Sequence, residues 1–312
     1  MEIHQLRYVL AVAETGNFTR AAARSFVAQP SLSQQIAKLE DELGHRLFHR
    51  LGRRAVPTDA GRIFIERARR ILMEVDDAVK EMRDDPQVGR RITVGAIPTL
   101  APYVFPVLLE RCRQELPELH VQTREGFRSD LVEAVVRGDI DVAFTSLPLK
   151  DHRLSIEPAF AEPLLLAVGP QHRLAEQKTV TAGDLVEETF VMLGTGSTLA
   201  TQIERFCGEY NFAPQIGHRC AQVRTLKALV ALGQGVAILP QIARRPTDQG
   251  TLVFRELTGR SPYREVAVIQ HVQRYQSRGT ERFLTLARRE MKKRWGSDTE
   301  ERLGEDRIAP AE

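Results

Sequence analysis

The stretch Gln29-Pro30-Ser31-Leu32-Ser33-Gln34-Gln35-Ile36, continued by Leu39 and Leu43 and closed by Gly44, decides how the N-terminal region reads. Leu32, Ile36, Leu39 and Leu43 are four, three and four residues apart, which predicts one buried stripe along a helix. Pro30 is tolerated in its first turn, where the missing N–H would have no intrahelical partner, and Gly44 supplies a left-handed stop. The opposite face presents Ser31, Gln34, Gln35 and Lys38. These are polar, mostly uncharged groups with donors and acceptors suited to base edges in a major groove.

Upstream, Ile3, Leu6, Val9, Leu10 and Val12 follow helical spacing as far as Gly16, and Asn17 or Thr19 is placed to cap a second helix over 18 to 25. There Ala21 and Ala22 let a neighbour approach closely, and a turn at 26 to 29 leads into the third helix. Residues 2 to 58 thus read as short helices without strands. Behind Gly44 the chain turns basic. Residues 46 to 70 hold eight arginines (46, 50, 53, 54, 62, 67, 69 and 70) against Asp59 and Glu66, an excess of six where the whole chain carries only +3. An isolated arginine run is usually a solvated surface. Directly behind a helix-turn-helix pattern it reads as a phosphate grip, which makes binding salt-dependent.

From Thr58, an apt cap, a long helix is predicted to about Asp84. Phe64, Ala68, Ile71, Val75, Ala78 and Met82 recur at the heptad interval, a spacing that fits either a coiled-coil seam or an amphipathic helix lying on its own domain, and its place between a small helix-turn-helix domain and a larger one favours a dimerisation helix. Asp84-Asp85-Pro86 breaks it, and 84 to 90 reads as a hinge. Beyond lies a β-α-β-α-β series: strand 92 to 97, helix 100 to 115, strand 119 to 124, helix 129 to 137 and strand 142 to 145. A second series has strands at 164 to 168, 190 to 193, 216 to 221 and 236 to 239, with helices at 199 to 210 and 223 to 233. Strands at 251 to 255 and 264 to 270 and a helix at 278 to 294 complete two α/β lobes. The polar tail after Trp295 reads as disordered.

Composition narrows the functions. The chain has 312 residues, 44 Lys plus Arg against 41 Asp plus Glu, and 42% hydrophobic residues, enough for two or three domains with real cores. Cys112, Cys207 and Cys220 form no C-x-x-C pair and are odd in number, which argues for a reducing compartment. The longest early apolar run, Val9 to Ala13, falls far short of a signal peptide or of the ~20 residues of a membrane span, so the expectation is a cytoplasmic protein without a membrane partner. Gly194-Thr195-Gly196 and Gly233-Gln234-Gly235 lack the third glycine of a dinucleotide fingerprint, and neither a Gly-Lys-Ser/Thr phosphate loop nor a G-x-S-x-G elbow occurs. No enzymatic activity and no cofactor are expected. His45 and His49 have the spacing of a metal pair but no third ligand, so no metal site is assigned. One Trp and 6% aromatics exclude a stacking-based single-strand binder.

The strings Phe18-Thr19-Arg20-Ala21-Ala22-Ala23, Gln29 to Ile36, Leu39-Glu40-Asp41-Glu42-Leu43-Gly44, Leu47-Phe48-His49-Arg50 and Thr58-Asp59-Ala60-Gly61 resemble the LysR-type transcriptional regulators, and the likeness covers essentially residues 1 to 295. That resemblance implies an α/β chain with an all-α winged helix-turn-helix domain at 1–58 and a linker and dimerisation helix with hinge at 59–90. It implies a two-lobed effector domain, like the periplasmic binding proteins, at 91–295, with lobes at about 91–161 plus 268–295 and at 162–267. It further implies double-stranded promoter DNA, a small-molecule effector and RNA polymerase as partners, a homotetrameric dimer of dimers, and activation or repression of transcription. By position, Thr19, Arg20, Gln29, Pro30, Ser31, Ser33, Gln34 and Lys38 then belong at the groove, and Arg50, Arg53 and Arg54 at the phosphates beside it. Where the family usually has Ser or Thr before Gln-Pro, this chain has Ala28, losing a cap contact of about 1 kcal/mol.

Within the family, Ile97-Pro98-Thr99, Pro102-Tyr103, Pro106, Met192-Leu193 and Cys207 resemble the peroxide-sensing OxyR branch. That branch has its peroxidatic cysteine nine positions before the resolving one, which here falls on Thr198, with Ser197 in place of histidine. A threonine hydroxyl cannot climb the cysteine oxidation ladder, and Cys112 and Cys220 read as buried apolar residues. A redox switch using Cys207 is the alternative to ligand response; a carrier or enzyme on the same fold would leave 1–58 unexplained. In lobed α/β domains a ligand sits at the carboxyl ends of strands against helix N-termini. This points to Thr99, Leu100, Arg128, Ser197, Thr198 and Thr225 as effector-binding residues. Each hydroxyl alone could be an ordinary helix cap. Together, with the planar fork of Arg128, they suit a small anion such as a carboxylate.

Overall fold

Gly16 and Gly44, both left-handed with φ of 62° and 69°, end the first and third helices where the spacing predicts. The computed structural model describes residues 1–52, 54–82, 90–259 and 261–296. They divide into two compact units, Met1–Asp85 and Pro86–Glu312. Arg53, Arg83, residues 84–89 of the expected hinge, Arg260 and the tail beyond 296 lie outside the described residues.

In the first unit, α1 (Ile3–Thr15), α2 (Phe18–Arg24) and α3 (Gln29–Leu43) pack around Val9, Val12, Ala21, Leu32, Ile36 and Leu39, all fully buried. Asn17 caps α2, its side chain accepting the Arg20 N–H at 3.0 Å. Strands β1 (Phe48–Leu51) and β2 (Arg54–Pro57) form an antiparallel hairpin, correcting the strandless reading of this stretch. Four-residue strands with His49, Arg50, Val56 and Leu51 all exposed carry too little alternation to be read from sequence. The hairpin is anchored from behind by Glu40, buried at the end of α3, whose Oε1 accepts the N–H groups of Leu47 (2.7 Å) and Phe48 (3.3 Å).

Helix α4 (Asp59–Met82) follows a cap by Thr58, whose hydroxyl accepts the Gly61 N–H at 2.8 Å and donates to the Arg46 carbonyl at 2.6 Å. Gly61 is required there: a Cβ would lie 2.0 Å from the Leu47 carbonyl oxygen. The early part of the expected seam, Phe64 and Ala68, packs with Leu72 on Leu6 and Leu10 of α1. Of the rest, Val75 is half-buried, whereas Ile71 at 40% and Met82 at 84% exposure face out, together with Ala78, Ile63 and Val79.

The second unit is an α/β body in the order β3 (Arg90–Ala96), α5 (Ala101–Glu115), β4 (Leu119–Glu125), α6 (Arg128–Arg137), β5 (Val142–Ser146), β6 (Leu154–Val168), β7 (Thr189–Leu193), α7 (Thr198–Glu209), β8 (Gln215–Cys220), α8 (Val223–Ala231), β9 (Ala237–Pro240), β10 (Val253–Arg255), β11 (Tyr263–His271) and α9 (Arg278–Trp295). Strand β3 lies parallel between β4 and β5, and β11 continues that sheet antiparallel to β5. Strand β6 is far longer than its sequence suggested. Its first half pairs with β11 and its last residues pair with β9 and β10, so it runs from one lobe into the other. Pro158 sits where the register shifts, the irregular spot that a strand proline requires, and it hides the first half from a periodicity reading. Strands β7 and β8 are parallel and join the second lobe through the Phe190–Val236 bridge.

Candidate DNA interface and effector cleft

On the first unit, α3 buries Leu32, Ile36 and Leu39 and thereby turns Pro30, Ser31, Gln34 and Lys38 outward, with Gln29 and Ser33 half-buried beside them. Helix α3 has no side-chain cap at Ala28, so the alanine costs the helix the contact anticipated from its sequence. Thr19 and Arg20 are exposed in the first turn of α2. On the wing, Arg50 and Arg54 are exposed, and the Arg50 guanidinium lies 4.7 Å from the centre of the Phe18 ring, a cation–π contact that aims its charge. Beyond the wing, Arg62 ion-pairs with Asp59, and Arg69 meets Glu66 at 3.3 Å. Polar hydrogen-bonding groups on one helix face and guanidiniums on the adjoining hairpin form a surface matched to a base-pair groove and its phosphates.

On the second unit, a cavity of about 220 Å³ opens between the lobes, lined by 14 residues that include Pro98, Thr99, Phe127, Arg128, Thr195, Ser197, Thr198, Arg219 and Cys220. Four expected effector residues, Thr99, Arg128, Ser197 and Thr198, meet there. Leu100 does not line it: it is fully buried in the core as the cap residue of α5. Thr225 lies exposed on α8, also off the cavity wall. Sequence reasoning missed Arg219, which reaches the cleft through the pairing of β8 with β7, and Phe127, an apolar residue beside Arg128 at the start of α6 that carries no polar signal.

Three chain turns supply the polar wall. Helices α6 and α7 begin at Arg128 and Thr198 without a side-chain cap, leaving first-turn N–H groups and a favourable dipole for an anion. Arg128 donates to the Pro148 carbonyl at 2.9 Å and the Ser146 carbonyl at 3.3 Å, and partial burial lowers its pKa. Ser146, at the end of β5, reaches across to Thr198 at 2.8 Å, linking the lobes beside the cavity. Arg219, on the other wall, lies 3.4 Å from Glu204. Among the described residues, the lining holds two guanidiniums and no carboxylate. Cys220 forms part of the wall, with burial pushing its thiol up. Cys207 is fully buried away from the cavity, and burial pushes its thiol up to about 11.

Two family profiles match: residues 3–62 as the bacterial regulatory helix-turn-helix protein of the LysR family, and residues 86–292 as the LysR substrate binding domain. The chain belongs to the LysR family. This LysR-type regulator is 32% identical over 311 residues to the HTH-type transcriptional regulator YcgK of Bacillus subtilis, covering 94% of this chain and 95% of that one. It is 36% identical over 249 residues to the DNA-binding transcriptional dual regulator OxyR of Escherichia coli, covering 79% and 81%. Among solved structures, a cysteine-to-aspartate variant of full-length OxyR from Pseudomonas aeruginosa superposes with a TM-score of 0.71 at 26% identity, covering 94% of this chain and 95% of that one. Full-length CbnR in complex with its target DNA gives 0.62, also at 26% identity, covering 93% and 99%. The regulator is therefore a DNA-binding transcriptional regulator with an effector-binding domain. Among the described residues no helix is long and apolar enough to cross a membrane.

Proposed function

We propose that this regulator grips promoter DNA through α3 and the wing and changes its hold when a small anion fills the cleft between its lobes. The working divisions are 1–58 for the DNA-binding domain, 59–90 for the linker helix and hinge, and 91–295 for the effector domain, with lobes at about 91–161 plus 268–295 and 162–267. The observation that carries the effector class is the lining itself: Arg128 and Arg219 on opposite walls, two uncapped helix starts, and no carboxylate among the described residues. Such a site places fixed positive charge and N–H donors where an anion would sit. Its size suits a small organic acid.

The exposed stretch of α4, with Ile63, Ile71, Val79 and Met82, supports pairing of two copies into a dimer and then a dimer of dimers. Two α3 helices would then address successive major grooves, and the effector would act by binding two arrangements of the assembly with different affinity. RNA polymerase is the further partner, the cytoplasm the compartment, and no catalytic step is assigned. The deciding experiment replaces Arg128 by alanine. The variant keeps wild-type affinity for the protein's own upstream DNA and loses the response of a reporter to acidic inducers; an unchanged inducer response contradicts the assignment.

A redox reading through Cys207 loses support from its burial and raised pKa, since the thiolate is the reactive form. Peroxide treatment is expected to leave all three thiols titratable. Loss of two thiols into a disulfide would restore that reading.

A further inference from the structure

Among the described residues, Arg264 is the largest side chain to be fully buried, with 1% of it exposed. A guanidinium offers five N–H donors and no acceptor and stays charged at any accessible pH, so a buried one must find acceptors for its whole fork. Glu162, directly opposite on β6 where that strand passes between lobes, supplies the counter-charge: its Oε1 accepts from Nε at 2.9 Å and lies 2.7 Å from Nη2 as an ion pair. The other carboxylate oxygen accepts the Ile242 N–H at 2.6 Å, tying the pair to the turn after β9 in the second lobe. The rest of the fork is spent on one residue. Nη1 donates to the Thr99 hydroxyl at 2.8 Å and Nη2 to the Thr99 carbonyl at 3.3 Å.

Thr99 lines the effector cavity, although only 3% of it is exposed. Its hydroxyl has a single proton, and the oxygen already accepts from a permanent cation. A second donor arriving from the cleft would meet an oxygen that faces positive charge, whereas the proton is polarised outward by the same bond. The two guanidiniums on the wall, Arg128 and Arg219, add to this bias, because they are donors only, and the Thr198 oxygen already accepts from Ser146.

Resting on the effector-cleft reading, we propose that Arg264 is a positioning residue that fixes the Thr99 hydroxyl as a donor into the cleft, so that the cleft accepts a carboxylate and rejects the primary amide of the same shape. The amide presents an NH₂ where the carboxylate presents its second acceptor, and that NH₂ would meet the Thr99 proton donor to donor. Arg264 itself touches no ligand. Selectivity is set by a residue one layer behind the wall, at the strand crossing that joins the lobes.

The test is calorimetric titration of the full-length protein with acetate, propionate, succinate and benzoate, each beside its amide. Wild-type protein binds at least one of these acids, at least about ten-fold more tightly than its amide, the size expected of a charge-assisted hydrogen bond gained against a donor–donor clash. Thr99→Val, nearly isosteric, lowers affinity for the acid about ten-fold and leaves the amide almost unchanged, while Thr99→Ser restores the preference. The double variant Arg264→Gln with Glu162→Gln, which leaves no lone buried charge, brings the ratio toward one, and Arg264→Lys retains it. A Thr99→Val protein with the wild-type ratio overturns the donor role. A double variant with the wild-type ratio overturns the part given to Arg264 and leaves the cleft reading standing. Failure of wild-type protein to bind any of the acids sinks both together.

Discussion

Replacing Gly61 by alanine tests whether the start of α4 and the wing are one packed unit. The new Cβ would lie 2.0 Å from the Leu47 carbonyl oxygen, 2.9 Å from the Leu47 carbonyl carbon and 3.2 Å from its Cα. A carbon and a carbonyl oxygen normally approach no closer than about 3.3 Å, so one backbone must retreat by more than about 1 Å. Neither is free to move. The Leu47 carbonyl accepts the Thr58 N–H at 2.9 Å, its N–H is held by buried Glu40, and Leu47 and Phe48 are 1% and 3% exposed. Overpacking of this kind costs about 1–3 kcal/mol, and loss of the Thr58 bond adds about 1 kcal/mol. For a unit of this size each kcal/mol shifts the melting midpoint by about 4–8 °C, so a drop of roughly 10 °C or more is expected by calorimetry. The displaced hairpin carries Arg50 and Arg54, so affinity for the upstream DNA should fall at least about ten-fold. A Gly61→Ala protein melting within about 2 °C of wild type, with unchanged DNA affinity, would refute the reasoning.

Three further outcomes follow from the geometry. Ala28→Ser gives α3 the side-chain cap it lacks and should raise the stability of the DNA-binding unit by about 1 kcal/mol; an unchanged melting midpoint contradicts the cap argument. The Arg153 guanidinium and N–H beside Asp151 hold its carboxyl at about 2, below its unfolded value near 4. Because the folded pKa is depressed, this stabilisation is complete at neutral pH and is lost as pH falls from about 5 through 2. Asp151→Asn should therefore destabilise at pH 7, with the difference shrinking as pH falls to 2 and vanishing below it, and a pH-independent difference argues against the ion pair. Cys112 and Cys207, both pushed up to about 11 mainly by burial, should resist alkylation in the native protein at pH 8 and react only on unfolding. Rapid native labelling of either would contradict its burial.

What could be read in advance was whatever depends on local spacing. The stripe of Leu32, Ile36 and Leu39, the stops at Gly16 and Gly44, and nearly every strand and helix of the effector unit follow from periodicity and turn residues. The wing escaped because its strands are short and charged, and half of β6 because Pro158 breaks its pattern. The heptad of α4 was legible as a pattern, but its division was not: packing inside the first unit selects Ile65, Ala68 and Leu72 and leaves Ile71 and Met82 outward. Thr99, Arg128, Ser197 and Thr198 could be placed because strand ends and helix starts mark a cleft. Arg219 and above all Arg264 could not, since their positions depend on which strands become neighbours. An arginine in a run of strand residues announces nothing until the pairing of β6 with β11 sets Glu162 opposite it.

The central claim, that α3 and the arginine-bearing wing grip DNA, is tested most directly by fluorescence anisotropy of the full-length protein on its own upstream DNA between about 50 and 200 mM salt. Wild-type affinity should fall steeply with salt. The variant Arg50→Ala with Arg54→Ala should bind more weakly and reduce the slope of log affinity against log salt by about 1.8 per subunit, the release expected for two phosphate contacts. Affinity that ignores salt, or a double variant with the wild-type slope, would contradict the account.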